Sequence, residues 1–171
     1  MKNRVMTVLL CLLVLHSAQR PGAVGEAAEE RSRKPAPTFS LKDASGGPVR
    51  LSDYKGRVVL LNFWATWCHG CKTEIPWYID FQTKYEAQGF TVIGASVDDT
   101  GWKAVGLFIQ SQKVNYPVVI ASANLAKRYG VGEMPLSILI DRDGRIADSH
   151  AGVVDRTTWE SEIQRLLDEK K

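Results

Sequence analysis

Cysteine is scarce in this chain. There are three among 171 residues, Cys11, Cys68 and Cys71, too few for the framework of a disulfide-stapled scaffold. Histidine is as rare, with three. A zinc centre built on Cys68 and Cys71 would need two more ligands, and beyond the first 25 residues only His69 and His150 remain. No internal repeat and no low-complexity tract is present, which excludes repeat architectures. Long apolar runs are also missing. The stretch Val5–Leu15 carries no charge but falls short of the ~20 residues that span a bilayer.

An excess of charge is lacking too, once the leader is set aside. Lys2 and Arg4 followed by the apolar stretch have the layout of a secretory signal, a basic region and then an apolar core of about 7–15 residues. Cleavage is expected after Gly25, where Ala23 and Gly25 are small, or after Ala18; retained, residues 1–25 would be an N-terminal membrane anchor. Bulky Leu10 argues against a lipoprotein signal at Cys11. Without residues 1–25 the basic residues fall from 22 to 19, matching the 19 acids. The net charge of +3 therefore belongs to the leader, and a near-neutral chain gives no footprint for nucleic acid. Apolar residues at 44% and charged ones at 24% suit a soluble globular domain.

The chain divides into the leader 1–25, a polar linker 26–34 and a domain 35–171. Thr38–Leu41 and Val49–Leu51 are expected to pair as a hairpin across the Gly-rich turn between them. Ser52 is expected to cap a short helical turn closed by Gly56. Val58–Phe63 is a continuous apolar run, the pattern of a strand buried on both faces. A helix is expected from Cys68 to Gln88, with Pro76 inside it and Gly89 at its end. Strands follow at Phe90–Val97, Tyr116–Ile120, Ser137–Asp141 and Arg145–Val153, and helices at Gly101–Lys113, Ala123–Tyr129 and Arg156–Glu169. Asp141–Gly144 is a hairpin signal. Strand–helix alternation implies a central sheet with helices on both faces, and the closing hairpin makes that sheet mixed. Asp98 and Asp99 read as a solvated strand end rather than a cation site.

What is present in quantity is local chemistry. Trp67-Cys68-His69-Gly70-Cys71 joins the apolar strand to the helix after it. Free N–H groups and the helix dipole at that end stabilise a thiolate, the species that attacks a disulfide. A three-residue spacing closes a tiny loop and constrains the unfolded chain little, so a structural staple is the weaker reading of this pair.

The longer segment Phe63–Pro76 resembles the active-site segment of the TlpA/ResA-like thioredoxins, which are exported or membrane-tethered thiol-disulfide oxidoreductases. The resemblance runs from about Pro35 to the C-terminus through Ala36–Leu41, Ser96-Val97-Asp98, Gly130-Val131 and Met134-Pro135. It implies a thioredoxin fold in the α/β class, with an N-terminal β-hairpin extension. It implies Cys68, as first helical residue, for the nucleophile and Cys71 for the resolving thiol. Glu74, at the position of the family's acid, would be a buried proton relay to Cys71; Asn62 stands where thioredoxin itself has an acid. His69 and Gly70 would tune the potential, and Gly70 replaces a frequent proline. Met134-Pro135 matches the cis-proline loop that receives an extended substrate, with Met134 where many relatives have Thr. Trp67 and Trp77 are candidates for an apolar docking rim, with core packing an equal reading for Trp77, and Trp64 is expected in the core.

The function implied is reduction or exchange of disulfides in exported proteins, in a periplasmic or other extracytoplasmic compartment, with a membrane thiol as electron donor and no cofactor or metal. Cytochrome c maturation is the family's frequent role. Two alternatives remain at this point. A peroxiredoxin-type thiol peroxidase shares the fold, but the Thr and Pro of its motif fall on Ala65 and Leu61. A Cu(I) or haem chaperone would gather a soft ion between Cys68, Cys71 and Met134.

Overall fold

The computed structural model describes residues 29, 30 and 32–169; the expected leader and part of the expected linker lie outside them. Among the described residues no helix is long and apolar enough to cross a membrane. The main compact unit begins at Arg33.

Seven strands and four helices follow in order: β1 Ser40–Lys42, β2 Pro48–Arg50, β3 Val58–Trp64, α1 His69–Tyr85, β4 Phe90–Ser96, α2 Trp102–Gln112, β5 Val118–Ile120, α3 Ala123–Arg128, β6 Leu136–Ile140, β7 Ile146–Ala151 and α4 Arg156–Asp168. The main sheet has the order β5-β4-β3-β6-β7. β3 runs parallel to β4 and antiparallel to β6, and β7 is antiparallel to β6. This is the mixed sheet of a thioredoxin fold, with β1 and β2 forming a separate two-stranded hairpin.

β3 lies at the centre, and all seven of its residues are buried. Its period-2 alternation supplies two cores. Val58, Leu60 and Trp64 pack toward α1 and α4, against Ile75, Tyr78, Phe81, Trp159 and Ile163. Val59, Leu61 and Phe63 pack on the opposite face with Leu125, Tyr129, Ile138 and the hairpin residues Val49 and Leu51. A strand buried on both faces cannot show polar alternation, which is why it reads as one apolar run.

Three local expectations are corrected. Ser52 does not cap its turn: the short helix spans Leu51–Tyr54 behind Arg50, with no side-chain cap, and the Ser52 hydroxyl donates to Asp53 Oδ1 instead, at 3.3 Å. The helix after the dithiol is regular only to Tyr85, then tightens to a 3-10 turn over Glu86–Gln88 before Gly89 adopts φ 85°. Arg33 and Lys34, read as linker, are fixed to the domain. The buried Arg33 guanidinium reaches Glu169 at 2.6 and 2.8 Å and Asp141 at 3.3 Å, and the Lys34 carbonyl accepts from Ile146 N at 2.8 Å. Breaking such a buried ionic contact by removing one partner typically costs about 3–5 kcal/mol.

Candidate active site

β3 delivers the chain to its C-terminal edge, and a turn over residues 65–67 feeds α1. Two anchors hold this turn. Cys68 N donates to Ala65 O at 3.1 Å. Thr66 donates its N–H to Asp98 Oδ2 at 2.9 Å and its hydroxyl to Asp98 Oδ1 at 2.5 Å. Asp98 is itself held by the Ser96 hydroxyl, 2.8 Å from Oδ2, and is buried. The reading of Asp98 as a solvated strand end is therefore corrected: only Asp99 is exposed. Asp98 crosses from the end of β4 to clamp the redox turn.

Cys68 and Cys71 are joined in a disulfide with their Cα atoms 5.3 Å apart. Cys68 is the N-cap of α1 rather than its first helical residue, and its Sγ accepts from Cys71 N at 3.2 Å. This sulfur therefore takes the place of a capping side-chain oxygen, where a negative charge is stabilised by a free N–H and the helix dipole. Cys68 is 6% exposed and Cys71 1%, so an incoming group meets Cys68 first. Trp67 beside it is 66% exposed, and His69 is also exposed. Trp77 is half-buried against the core, and Trp64 is fully buried, its ring tilted against Phe108 with centroids 5.0 Å apart.

The Met134–Pro135 peptide bond is cis. Met134 packs against the core cluster that contains both cysteines. Pro135 reaches the dithiol loop closely: a Cβ placed on Gly70 would sit 3.2 Å from Pro135 Cδ and 2.8 Å from Val153 Cγ2. A side chain on Gly70 would therefore have to push aside Val153, itself half exposed.

Glu74 lies one turn after Cys71 on α1, fully buried. Its Oε1 accepts from Val154 N at 3.1 Å and from Trp159 Nε1 at 3.2 Å, while Oε2 has no hydrogen-bond partner among the described residues. Burial is the largest influence and pushes the Glu74 carboxyl above the usual carboxylate range, against the opposing effect of those donors. A buried polar strip continues from it. Tyr78, four residues on, pairs its hydroxyl with Ser137 Oγ at 2.9 Å, and Asn62 Nδ2 donates to the same Oγ at 2.9 Å. Desolvation raises the Tyr78 phenol well above its ordinary value, so Tyr78 serves as a neutral hydrogen-bonding group.

The segment Gly152–Val154 escaped the sequence reading, yet it touches every part of the site. Gly152 N donates to Pro135 O at 2.8 Å, Val153 covers Gly70, and Val154 N holds Glu74. Two of these three contacts are made by backbone groups, which leave no mark on residue type. Trp159 reads as core from its helical spacing, and nothing in that pattern shows its indole N–H reaching Glu74.

Known proteins are similar to this chain in sequence and fold. The family model described as "AhpC/TSA family" matches residues 33–149. A thiol-disulfide oxidoreductase ResA from Bacillus thuringiensis (strain Al Hakam) is 32% identical, covering 96% of this chain and 98% of the relative. ResA from Bacillus subtilis (strain 168) is 34% identical over 97% of this chain and 89% of its own. Among solved structures, a thioredoxin-family thiol:disulfide interchange protein from Chlorobium tepidum TLS superposes with a TM-score of 0.73 at 28% identity, covering 79% of this chain and 97% of that one. A secreted thiol-disulfide isomerase from Corynebacterium glutamicum gives 0.75 at 26% identity, covering 82% and 89%.

Proposed function

Because the chain belongs to the AhpC/TSA family and, within it, to the ResA-like thiol-disulfide oxidoreductases, we propose that it reduces cysteine pairs in exported proteins, with Cys68 as nucleophile and Cys71 as resolving thiol. The observation that carries these roles is that Cys68 Sγ caps α1 and that Cys68 is the less buried residue of the pair, 6% exposed against 1% for Cys71. The Cys68 thiolate attacks one sulfur of a substrate disulfide, forming a mixed disulfide and releasing the other sulfur as thiolate. Cys71, losing its proton, then attacks Cys68 Sγ. The second substrate thiol leaves, and the Cys68–Cys71 disulfide closes. Two electrons have passed to the substrate, and a thiol donor must return them.

Glu74 is the group placed to take the Cys71 proton: it is one turn away on the same helix, and its raised pKa brings it toward the working range of a general base. The Met134-Pro135 loop, packed beside the dithiol, is the platform for an extended substrate chain, and Trp67, Val153 and exposed His69 flank the approach. The leader layout supports an extracytoplasmic location, in the periplasm or tethered to the membrane, and a membrane thiol as donor. Cytochrome c maturation is the process this reading favours, with the cysteine pairs of its apoproteins as substrates.

Turnover of a protein disulfide tests the assignment. Cys68→Ser should lower it by at least about 10³-fold, and a variant that turns over normally would overturn it. Rapid consumption of peroxide by the reduced wild type, with slow disulfide exchange, would point to a peroxidase instead.

A further inference from the structure

On the side of Trp159 away from the dithiol, three metal-ligating side chains converge. Asp148 and His150 are two residues apart on β7 and so share a face of the sheet. Asp148 is opposite Leu139 and His150 opposite Ser137 on β6, and both partners belong to the face covered by α1 and α4. α4 lays Glu162, three residues on from Trp159, against the same strand. His150 Nε2 lies 3.0 and 3.1 Å from the two oxygens of Glu162 and 3.5 Å from Asp148 Oδ1. The three ligand atoms all fall within 4.8 Å of one another. The imidazole is oriented by an edge contact with the Trp159 ring, 4.9 Å between centroids at 85°. All three side chains are partly exposed, so ions and water reach them.

We propose that Asp148, His150 and Glu162 form a binding site for a borderline divalent cation of the Zn(II) type, with one imidazole nitrogen and two carboxylates as protein ligands and water completing the sphere. The donor set decides the class of ion. Mg(II) and Ca(II) take oxygen ligands, whereas an imidazole nitrogen with carboxylates suits Zn(II). Spacing agrees. Ligands about 2.0–2.1 Å from a tetrahedral zinc stand about 3.3 Å from each other; His150 Nε2 stands 3.0 Å from Glu162 and 3.5 Å from Asp148, and the two carboxylates are within 4.8 Å of each other. Asp148 Oδ1 also accepts from Ser149 N at 2.8 Å, a bond that orients the carboxylate. The site is separate from the dithiol but linked to it by contact: His150 touches Trp159, whose Nε1 donates to Glu74.

The test is a Zn(II) titration of the fully oxidised protein, in which the closed disulfide removes both thiols as ligands, read by competition with a chromophoric chelator. One zinc per chain with a Kd of about 100 μM or tighter is expected, unaffected by millimolar Mg(II). His150→Ala should weaken it at least about 30-fold and the near-isosteric Glu162→Gln at least about 10-fold. Unfolding curves in chelator establish that each variant is folded, and if His150→Ala is not, Glu162→Gln alone decides. Binding weaker than about 100 μM, or binding that a folded variant leaves unchanged, overturns the proposal.

Discussion

At the scale of single residues, Glu74 shows stability and chemistry pulling in opposite directions. Its carboxyl has two donors on one oxygen and none on the other, and burial raises its pKa in the folded protein. Between the ordinary carboxylate value and that raised value the folded protein holds a proton that the unfolded chain has released. The stability conferred by that proton is complete below the unfolded pKa and is lost as pH rises through the folded one. Glu74→Gln keeps an acceptor for Val154 and Trp159 but cannot titrate. Denaturant unfolding from pH 5 to pH 8 should therefore show the wild type losing stability relative to the variant as pH rises. Turnover in the variant should fall about 10²-fold, the ordinary contribution of a positioned acid or base. A stability difference that does not change with pH would contradict this account of Glu74. The carboxylate was legible in the sequence because its spacing from the cysteines lies within one helix. Its partners Val154 and Trp159, 80 and 85 positions away, were not.

Among the elements, the connection from β7 to α4 does what no motif announces. Gly152 ties it to the cis-proline loop, Val153 covers Gly70, and Val154 holds Glu74. The exchange of a commoner proline for Gly70 reads from sequence as a looser redox loop, but the structure gives it a steric cause. Gly70 lies in the first turn of α1, where alanine is favoured over glycine by about 1 kcal/mol. Against that, a Cβ 2.8 Å from Val153 Cγ2 incurs an overpacking cost of about 1–3 kcal/mol. Gly70→Ala should thus destabilise the wild type, while the same change in a Val153→Ala background should stabilise by up to about 1 kcal/mol. Chemical denaturation of the four proteins of this cycle measures both signs, and equal effects in the two backgrounds would refute the contact. The Thr66–Asp98 clamp belongs to the same class of feature. The acid is visible in the sequence, but its burial depends on β4 ending beside the turn that follows β3.

For the molecule as a whole, the order of elements and the mixed sheet were legible because β3 and β4 are mostly apolar and the turns carry glycine. Gly89 and Gly144 adopt the left-handed φ that their turns require, at 85° and 81°. Position 33 was not legible as part of the domain, since an arginine in a charged stretch looks the same whether it is solvated or clasped by Glu169 and Asp141. What the fold achieves is to bring one helix N-terminus, one cis-proline loop and one buried carboxyl together at the edge of the central sheet, with Cys68 at the helix cap and less buried than Cys71. That asymmetry between the sulfurs is the central claim, and trapping tests it most directly. Reduced Cys71→Ser and reduced Cys68→Ser are each mixed with a disulfide-bonded protein substrate, and covalent adducts are measured by mass spectrometry. The account predicts a stable mixed disulfide through Cys68 in the Cys71→Ser protein, formed at least about 10²-fold faster than any adduct in Cys68→Ser. Equal trapping by the two variants, or preferential trapping through Cys71, would contradict it.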